Sequence, residues 1–343
     1  MKIGILTGGG DCPGLNAAIR AVTLKALGLG WEVVGIHEGW AGLLPGGKSK
    51  QLGAEEVESI YDIGGTIIGT SRTNPAKMEG GIKQVAQACR ELELDALVAI
   101  GGEDTLGVAA KLWKQEKIPV VGVPKTVDHD IMETDYTIGF DTAVNVASES
   151  IDRLHTTAKS HRRVIIVEIM GRHAGWLTLR AGIAGGAHVI LIPEKGYDIN
   201  AIAETIKSRR GKGLHTIIAL SEGVESPIQL KEGKDSFGHV GLTDRGLAHT
   251  FEAVLEERTG VDIKVMVLGH LLRGGTPTAY DRAMATRVGS AAVDFVKERK
   301  FGMMAAVQGA QIVAVELGRV GGKWKTVPDQ EYELLKPYFE GEA

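Results

Sequence analysis

The stretch KIGILT at residues 2–7, followed at once by Gly8-Gly9-Gly10 and then by a helical pattern over residues 16–27, decides the fold. A strand-length apolar run that ends in glycines and leads into a helix is the opening of a βαβ unit. The unit returns further on. Residues 96–100 read as a strand, Gly101-Gly102 as a turn, and residues 105–113 as a helix; residues 119–123 then form another buried strand that leads into a polar loop. Strands alternating with amphipathic helices make a parallel sheet. Because these strands are apolar throughout rather than alternating, helices must cover both faces of the sheet.

The pattern continues through the second half. Over residues 141–155, Val144, Ala147, Ile151 and Leu154 fall on one helical stripe. Further strands are expected at 164–169, 188–192, 216–220, 265–268 and 312–315. Residues 223–241, with a proline and four glycines, read as an exposed loop. Residues 321–343 carry no motif. There is no internal repeat, heptad run or low-complexity tract.

Composition bounds the rest. A chain of 343 residues is more naturally two domains than one core. With 43% hydrophobic and 24% charged residues it has the profile of a globular protein. A net charge of −4 gives no drive toward nucleic acid or membrane, so an anionic substrate needs a local basic pocket. The two cysteines, Cys12 and Cys89, suggest a reducing compartment rather than a disulfide framework. No apolar run is long enough to span a membrane, and the N-terminus lacks the apolar core of a signal peptide, so a cytoplasmic location is expected.

Four polar clusters sit at strand ends, where open α/β sheets bind ligands. Gly8-Gly9-Gly10-Asp11 precedes a helix and offers backbone N–H groups to an anion, or is simply a tight turn. It has the spacing of neither a P-loop nor a dinucleotide fingerprint, which disfavours an oxidoreductase. Glu103 and Asp104, after Gly101-Gly102, suit Mg²⁺ held by carboxylates and phosphates; alternatively Asp104 or Thr105 caps a helix. Lys125, Thr126, Asp128 and Asp130 follow a buried strand. On an extended segment the two aspartates face the same side, one as general base and the other orienting the hydroxyl or helping to hold Mg²⁺. Arg72, Arg163, Arg172, His173, Lys264, His270 and Arg273 supply cations, several of them at strand ends suited to holding phosphate.

In this order the pieces are far more specific than any one of them. TGGGDCPGLNAAIR (7–20), GTSRTNP (69–75), GGEDT (101–105), PKTVDHDI (124–131), MGRHAGW (170–176) and LGHLLRGGTPTAYDR (268–282) resemble the signature blocks of the 6-phosphofructokinase family. The resemblance implies an α/β fold of two Rossmann-like three-layer lobes with mainly parallel sheets and the active site in the cleft between them. Residues 1–138 and 258–305 are expected to form the phosphoryl-donor lobe, and 139–257 and 306–343 the sugar-phosphate lobe. Gly10 and Arg72 match donor-phosphate positions, and Glu103 the Mg²⁺-linked acid. Asp128 matches the base toward the sugar 1-hydroxyl, with Thr126 and Asp130 beside it. Arg172 matches a residue that steadies charge on the transferring phosphoryl. Met170, Gly171 and Glu222 match sugar contacts, and His270 and Arg273 match 6-phosphate ligands. Arg163 and Lys264 match two further ligands that reach across from a neighbouring subunit, so a homodimer or homotetramer is expected.

Donor choice turns on Asp104 and Lys125. ATP-using bacterial members carry glycine at both positions, whereas pyrophosphate-using members commonly carry Asp and Lys. Asp104 would set a carboxylate against an α-phosphate, and Lys125 gives a point charge suited to compact pyrophosphate. Pyrophosphate is therefore the expected donor, with ATP as the rival. His129, Lys264 and Leu272 depart from the usual Asn, Arg and Gln. Leu24 and His155 stand where the allosteric members have effector arginines, so weak or absent effector control is expected. A non-catalytic regulatory subunit or sugar-phosphate sensor would be expected to lose its base or its metal acid, yet Asp128 and Glu103 are both present. A kinase of the NAD or lipid type would not explain PKTVDHD or LGHLLRGG.

Overall fold

The computed structural model describes residues 1–228 and 246–339. Most of the loop expected at 223–241 lies outside the described residues. In chain order the elements are β1 (Lys2–Gly8), α1 (Leu15–Gly28), β2 (Glu32–Ile36), β3 (Ser49–Gln51), α2 (Ala54–Val57), α3 (Gly81–Glu91), β4 (Ala96–Gly101), α4 (Glu103–Glu116) and β5 (Val120–Pro124). They continue with α5 (Phe140–His161), β6 (Val164–Ile169), α6 (Trp176–Ala184), β7 (Val189–Leu191), α7 (Ile199–Gly211), β8 (Thr216–Ser221), α8 (Leu247–Thr259) and β9 (Ile263–Val267). The last are α9 (Ala279–Lys297), β10 (Met303–Gln308), β11 (Gln311–Glu316) and α10 (Asp329–Leu335).

Two compact units emerge. The first comprises Met1–Val127, Ile131–Thr142 and Arg273–Trp324. Its sheet runs β11-β10-β5-β4-β1-β2-β3, parallel from β10 to β2 and closed at each edge by an antiparallel strand. One face packs Leu6, Val34, Leu97 and Ala99 against Ile82 and Val85 of α3 and Leu106 and Leu112 of α4. The other face carries α1 and α9, which meet so closely that a Cβ on Gly289 would lie 2.9 Å from the Ala18 carbonyl. The expected layering of helix, sheet and helix is observed. Each fully buried Ile or Leu in it contributes roughly 1.5–3 kcal/mol.

The second unit comprises Asp128–Asp130, Ala143–Leu272 and Lys325–Ala343. Its four strands, in the order β7-β8-β6-β9, are all parallel. Val164, Ile166, Ile218 and Leu220 face α7 and α8 through Ile202, Ile206, Phe251 and Leu255. On the opposite face α6 presses on the sheet at Gly182, whose Cβ would meet Ile190 at 2.7 Å, and on α5 at Gly185, whose Cβ would meet Ile151 at 2.7 Å.

The expected boundaries shift for reasons of strand pairing. β9 belongs to the second unit because it is laddered to β6. β11 stays with the first because it pairs along its length with β10, so the crossing back falls at Trp324–Lys325 rather than at 305–306. No helix among the described residues is long and apolar enough to cross a membrane.

Candidate functional site

In the first unit three turns leave the sheet at one level, because Gly8 is in register with Gly101 and Gly101 with Pro124. The first turn is strapped from the side: Gly9 N–H donates to the Ser71 carbonyl at 2.9 Å, and Thr70 Oγ1 to the Gly9 carbonyl at 2.7 Å. That strap brings the GTSRTNP segment, with exposed Arg72, beside the glycines. Lys125 is only 3% exposed, and its Nζ donates to the Gly10 carbonyl. Arg273, expected with a sugar 6-phosphate, lies here as well: its Nη1 reaches the Asp11 carbonyl at 3.5 Å and occupies the space a Gly10 Cβ would need. The neighbouring Cys12 thiol is pushed up to about 12 by burial and donates to the Ile138 carbonyl.

Neither Asp104 nor Thr105 caps α4. The cap is Gly102, with extended backbone and no side-chain bond. Thr105 is buried instead, filling the space over Gly8 and Gly101. Glu103 and Asp104 therefore occupy the first helical turn, where the helix dipole favours negative charge. Glu103 Oε1 accepts from Gly322 N–H at 2.8 Å. Asp104 Oδ1 accepts from Asn74 Nδ2 at 2.8 Å, with Lys77 Nζ 3.8 Å away. Asn74 lies in the GTSRTNP block and also accepts from Ala76 N–H at 3.0 Å, but its pairing and that of Lys77 with Asp104 join residues about 30 positions apart, which local sequence pattern does not signal.

In the second unit the aspartate loop is not the extended run assumed from side-chain alternation. His129 stands at φ 56°, in the left-handed region, so Asp128 and Asp130 flank a turn of the backbone. Met170, Gly171 and Arg172 follow the end of β6, and Glu222 the end of the adjacent β8, its N–H bonded to the Ile169 carbonyl at 2.9 Å. Gly171, at φ 142°, receives a bond from Ser221 Oγ at its carbonyl, 2.8 Å. Burial pushes the Glu222 carboxyl up to about 7, and the charge of Asp128 adds to the rise; the Gly171 N–H and Arg172 pull against it. Asp128, Gly171, Arg172 and Glu222 thus form one cluster of interacting groups. His173 is exposed just beyond, and His270 lies exposed on a 3₁₀ turn, Gly269–Arg273, after β9.

Arg163 and Lys264 do not join that cluster. They stand at the amino ends of β6 and β9, held by a shared carboxylate: Lys264 Nζ is 2.5 Å from Asp262 Oδ1 and Arg163 Nε 3.4 Å from Oδ2. The length of β6 separates them from Arg172, about 20 Å at strand rise.

Elsewhere in the second unit one ring nitrogen from each of His155, His188 and His215 lies within 4.8 Å of the others. His155 Nε2 bonds the Gly185 carbonyl and Nδ1 the His215 Nε2, both at 2.8 Å. Ile217 N–H donates to His188 Nδ1 at 2.9 Å, which leaves the ring proton on Nε2 and neither nitrogen free to bind a metal. Burial and Arg209 hold this imidazole neutral, with its pKa lowered to about 3.

The sequence matches the phosphofructokinase family over residues 2–296. It is 52% identical over 344 residues to a pyrophosphate–fructose 6-phosphate 1-phosphotransferase of Amycolatopsis methanolica, covering 99% of this chain and 100% of that protein. It is 46% identical over 345 residues to an ATP-dependent 6-phosphofructokinase of Mycobacterium tuberculosis, covering 99% and 100%. Among solved structures, phosphofructokinase from Saccharomyces cerevisiae superposes with a TM-score of 0.77 at 34% identity. That overlap takes in 93% of this chain but 45% of the yeast one, so this chain spans less than half its length. The family match takes in β1 through β9 with the clusters at their ends, and the chain belongs to the phosphofructokinase family.

Proposed function

We propose that this enzyme transfers a phosphoryl group from inorganic pyrophosphate to the 1-hydroxyl of fructose 6-phosphate, giving fructose 1,6-bisphosphate and phosphate. The observation that carries the choice of donor is the buried Lys125 ammonium seated on the Gly10 carbonyl, with Asp104 held by Asn74 at the start of α4. A fixed point charge beside a glycine turn suits a small, densely charged anion. The Asp104 carboxylate opposes the α-phosphate that ATP would bring.

Asp128 takes the proton from the 1-hydroxyl as that oxygen attacks phosphorus, and the bond to the departing phosphate breaks. Arg172 and Arg72 offset the negative charge of the transferring group, while Thr126 and Asp130 flank the base. Met170, Gly171 and Glu222 contact the sugar. His270 takes the 6-phosphate together with Arg163 and Lys264 of a neighbouring subunit in a homo-oligomer. Arg273, resting on Gly10, serves as a phosphate ligand. Glu103 suits a hard divalent ion by its chemistry, a carboxylate in the first turn of α4 directly after Gly101-Gly102, with Oε1 bonded to Gly322 N–H. Mg²⁺ bound there supplies charge neutralisation of the donor oxygens. With pyrophosphate as donor the reaction is close to reversible and serves glycolysis or gluconeogenesis.

The test is fructose 1,6-bisphosphate formation from fructose 6-phosphate and Mg²⁺, with pyrophosphate and ATP supplied separately at equal concentration. Turnover with pyrophosphate and little with ATP is expected. Turnover with ATP alone would assign the chain to the other donor class, whose name the mycobacterial relative carries. Silence with both would remove the catalytic reading.

A further inference from the structure

Residues 321–343 carry no motif, yet the stretch from Lys325 onward docks beside the aspartate loop. Lys325 makes four contacts there. Its N–H donates to the Asp130 carbonyl at 2.8 Å, and its carbonyl accepts from Trp176 Nε1 at 2.8 Å. Its ammonium lies 3.2 Å from His129 Nε2 and 5.4 Å above the Trp176 ring. The circle closes because Trp176 also meets His129 edge to face, with centroids 5.7 Å apart and planes at 89°.

The tail is pinned on the far side too. Glu194 accepts from Gly175 N–H, the cap of α6, at 2.9 Å and from Val327 N–H at 2.9 Å. Arg180 pairs with Glu331 at 2.7 Å, and Lys195 with Asp329 at 3.0 Å and Glu333 at 3.2 Å. Lys325 is thus set by its main chain and by its flanks before its side chain is considered.

We propose that Lys325 is a positioning residue for the transfer: acting through His129, it fixes the conformation of the loop that carries Asp128 and Asp130. The inference rests on the reading of Asp128 as the base. His129 holds a left-handed backbone conformation that costs a residue with a Cβ strain energy, and such a conformation persists where the surroundings over-determine it. The Trp176 ring and the Lys325 ammonium contribute to this here. An ammonium only donates, so His129 Nε2 is the acceptor and the ring proton sits on Nδ1. That bond sets both the tautomer and the ring orientation. Since His129 lies between the two aspartates, a turn of its backbone re-aims both carboxylates.

The experiment uses full-length chain and compares five proteins: wild type, Lys325→Met, Lys325→Arg, His129→Asn and the Lys325→Met, His129→Asn double variant. Met keeps an apolar stem over Trp176 and removes the ammonium. Lys325→Met is expected to lower kcat roughly 10- to 100-fold, the worth of one charge-assisted hydrogen bond, with KM for pyrophosphate unchanged. Lys325→Arg, which retains a donor, is expected to recover most of that loss. Asn tolerates the left-handed region without a partner, so in the His129→Asn background the same Lys325→Met change is expected to cost less than about threefold. Equal losses in both backgrounds would overturn the proposal, since Lys325 would then act otherwise than through His129. So would a Lys325→Met enzyme with wild-type kcat. A wild type inactive with both donors would overturn the functional reading and this inference with it, whereas an active wild type with an indifferent Lys325→Met would overturn the inference alone.

Discussion

Replacing Lys125 by Met separates the charge at the Gly8–Gly10 turn from the volume that fills it. The residue is 3% exposed, and Met occupies nearly the same space, so the fold should be retained. What is lost is one ammonium directed at the Gly10 carbonyl. Two unit charges 4 Å apart at an effective dielectric near 20 attract by about 4 kcal/mol. Against this stands the bond to Gly10 that the ammonium already makes without substrate, so the net value of a charged hydrogen bond, about 1.5–3 kcal/mol, is the better guide. At 1.36 kcal/mol per decade, kcat/KM for pyrophosphate should fall about 10- to 150-fold, mostly through KM.

A coupled assay for fructose 1,6-bisphosphate across a pyrophosphate series reads this directly, with thermal unfolding as the check on folding. KM for pyrophosphate within threefold of wild type would refute the assignment of Lys125 to the donor. The companion change, Asp104→Gly with Lys125→Gly, removes the carboxylate and the ammonium together. It should shift preference toward ATP, and a double variant that still ignores ATP would mean that space at the turn is not what excludes the nucleotide.

Three further changes test other parts of the site and its frame. Asp128→Ala should lower kcat by roughly two to four orders of magnitude, the worth of a positioned base, and near-normal turnover would remove Asp128 from the mechanism. Glu222 is raised in the fold from 4.5 to about 7, so folding takes up a proton there; its stabilising contribution is fullest below the unfolded value and is lost as pH rises through about 7. Glu222→Gln should therefore flatten the fall in unfolding free energy between about pH 5 and 8, and parallel profiles for the two proteins would contradict the shift. Asp281 is fully buried and accepts from Tyr136 Oη, Gly139 N–H, Thr142 N–H and Thr142 Oγ1, so Asp281→Ala leaves several buried donors unanswered. It should cost about 3–5 kcal/mol in urea unfolding, and a loss below 1 kcal/mol would show that the network relaxes at little cost.

Legibility in the sequence followed the range of the interactions. β1, its glycine turn and α1 were readable because an apolar run, glycines and a helical stripe lie next to one another. β6 was readable to its end residues because five of the six positions between Arg163 and Met170 are β-branched and apolar, Glu168 being the exception. β10 escaped notice: MMAAVQ is poor in β-branched residues and forms a strand because β5 and β11 pair with it. At the site, residue types were legible and their partners were not. Alternation set Asp128 and Asp130 on one side, but a single left-handed residue between them defeats it. Asp281 reads as an ordinary helical acid, and only the fold brings the 136–142 segment to it. Lys325, Asp262 and Asn74 likewise acquire meaning through contacts made far along the chain.

The positions of Arg163 and Lys264 carry a consequence that mixing can test. Both stand at the amino ends of their strands, whereas Arg172 and His270 follow the carboxyl ends, about 20 Å away along a rigid sheet. One sugar phosphate cannot touch both ends of the same strand. If Arg163 and Lys264 bind phosphate, they do so in a second copy, and an isologous dimer then holds two shared sites. A chain carrying Asp128→Ala and a chain carrying Arg163→Ala with Lys264→Ala should each be nearly inactive alone. In a mixed dimer, one site combines both defects and the other is built wholly from intact residues. Random reassociation of equal amounts, after dissociation and refolding together, should therefore restore about one quarter of wild-type activity. A mixture that stays as inactive as its components would show that all the phosphate ligands come from one chain, and would leave the Asp262 pairings of Arg163 and Lys264 as purely structural contacts.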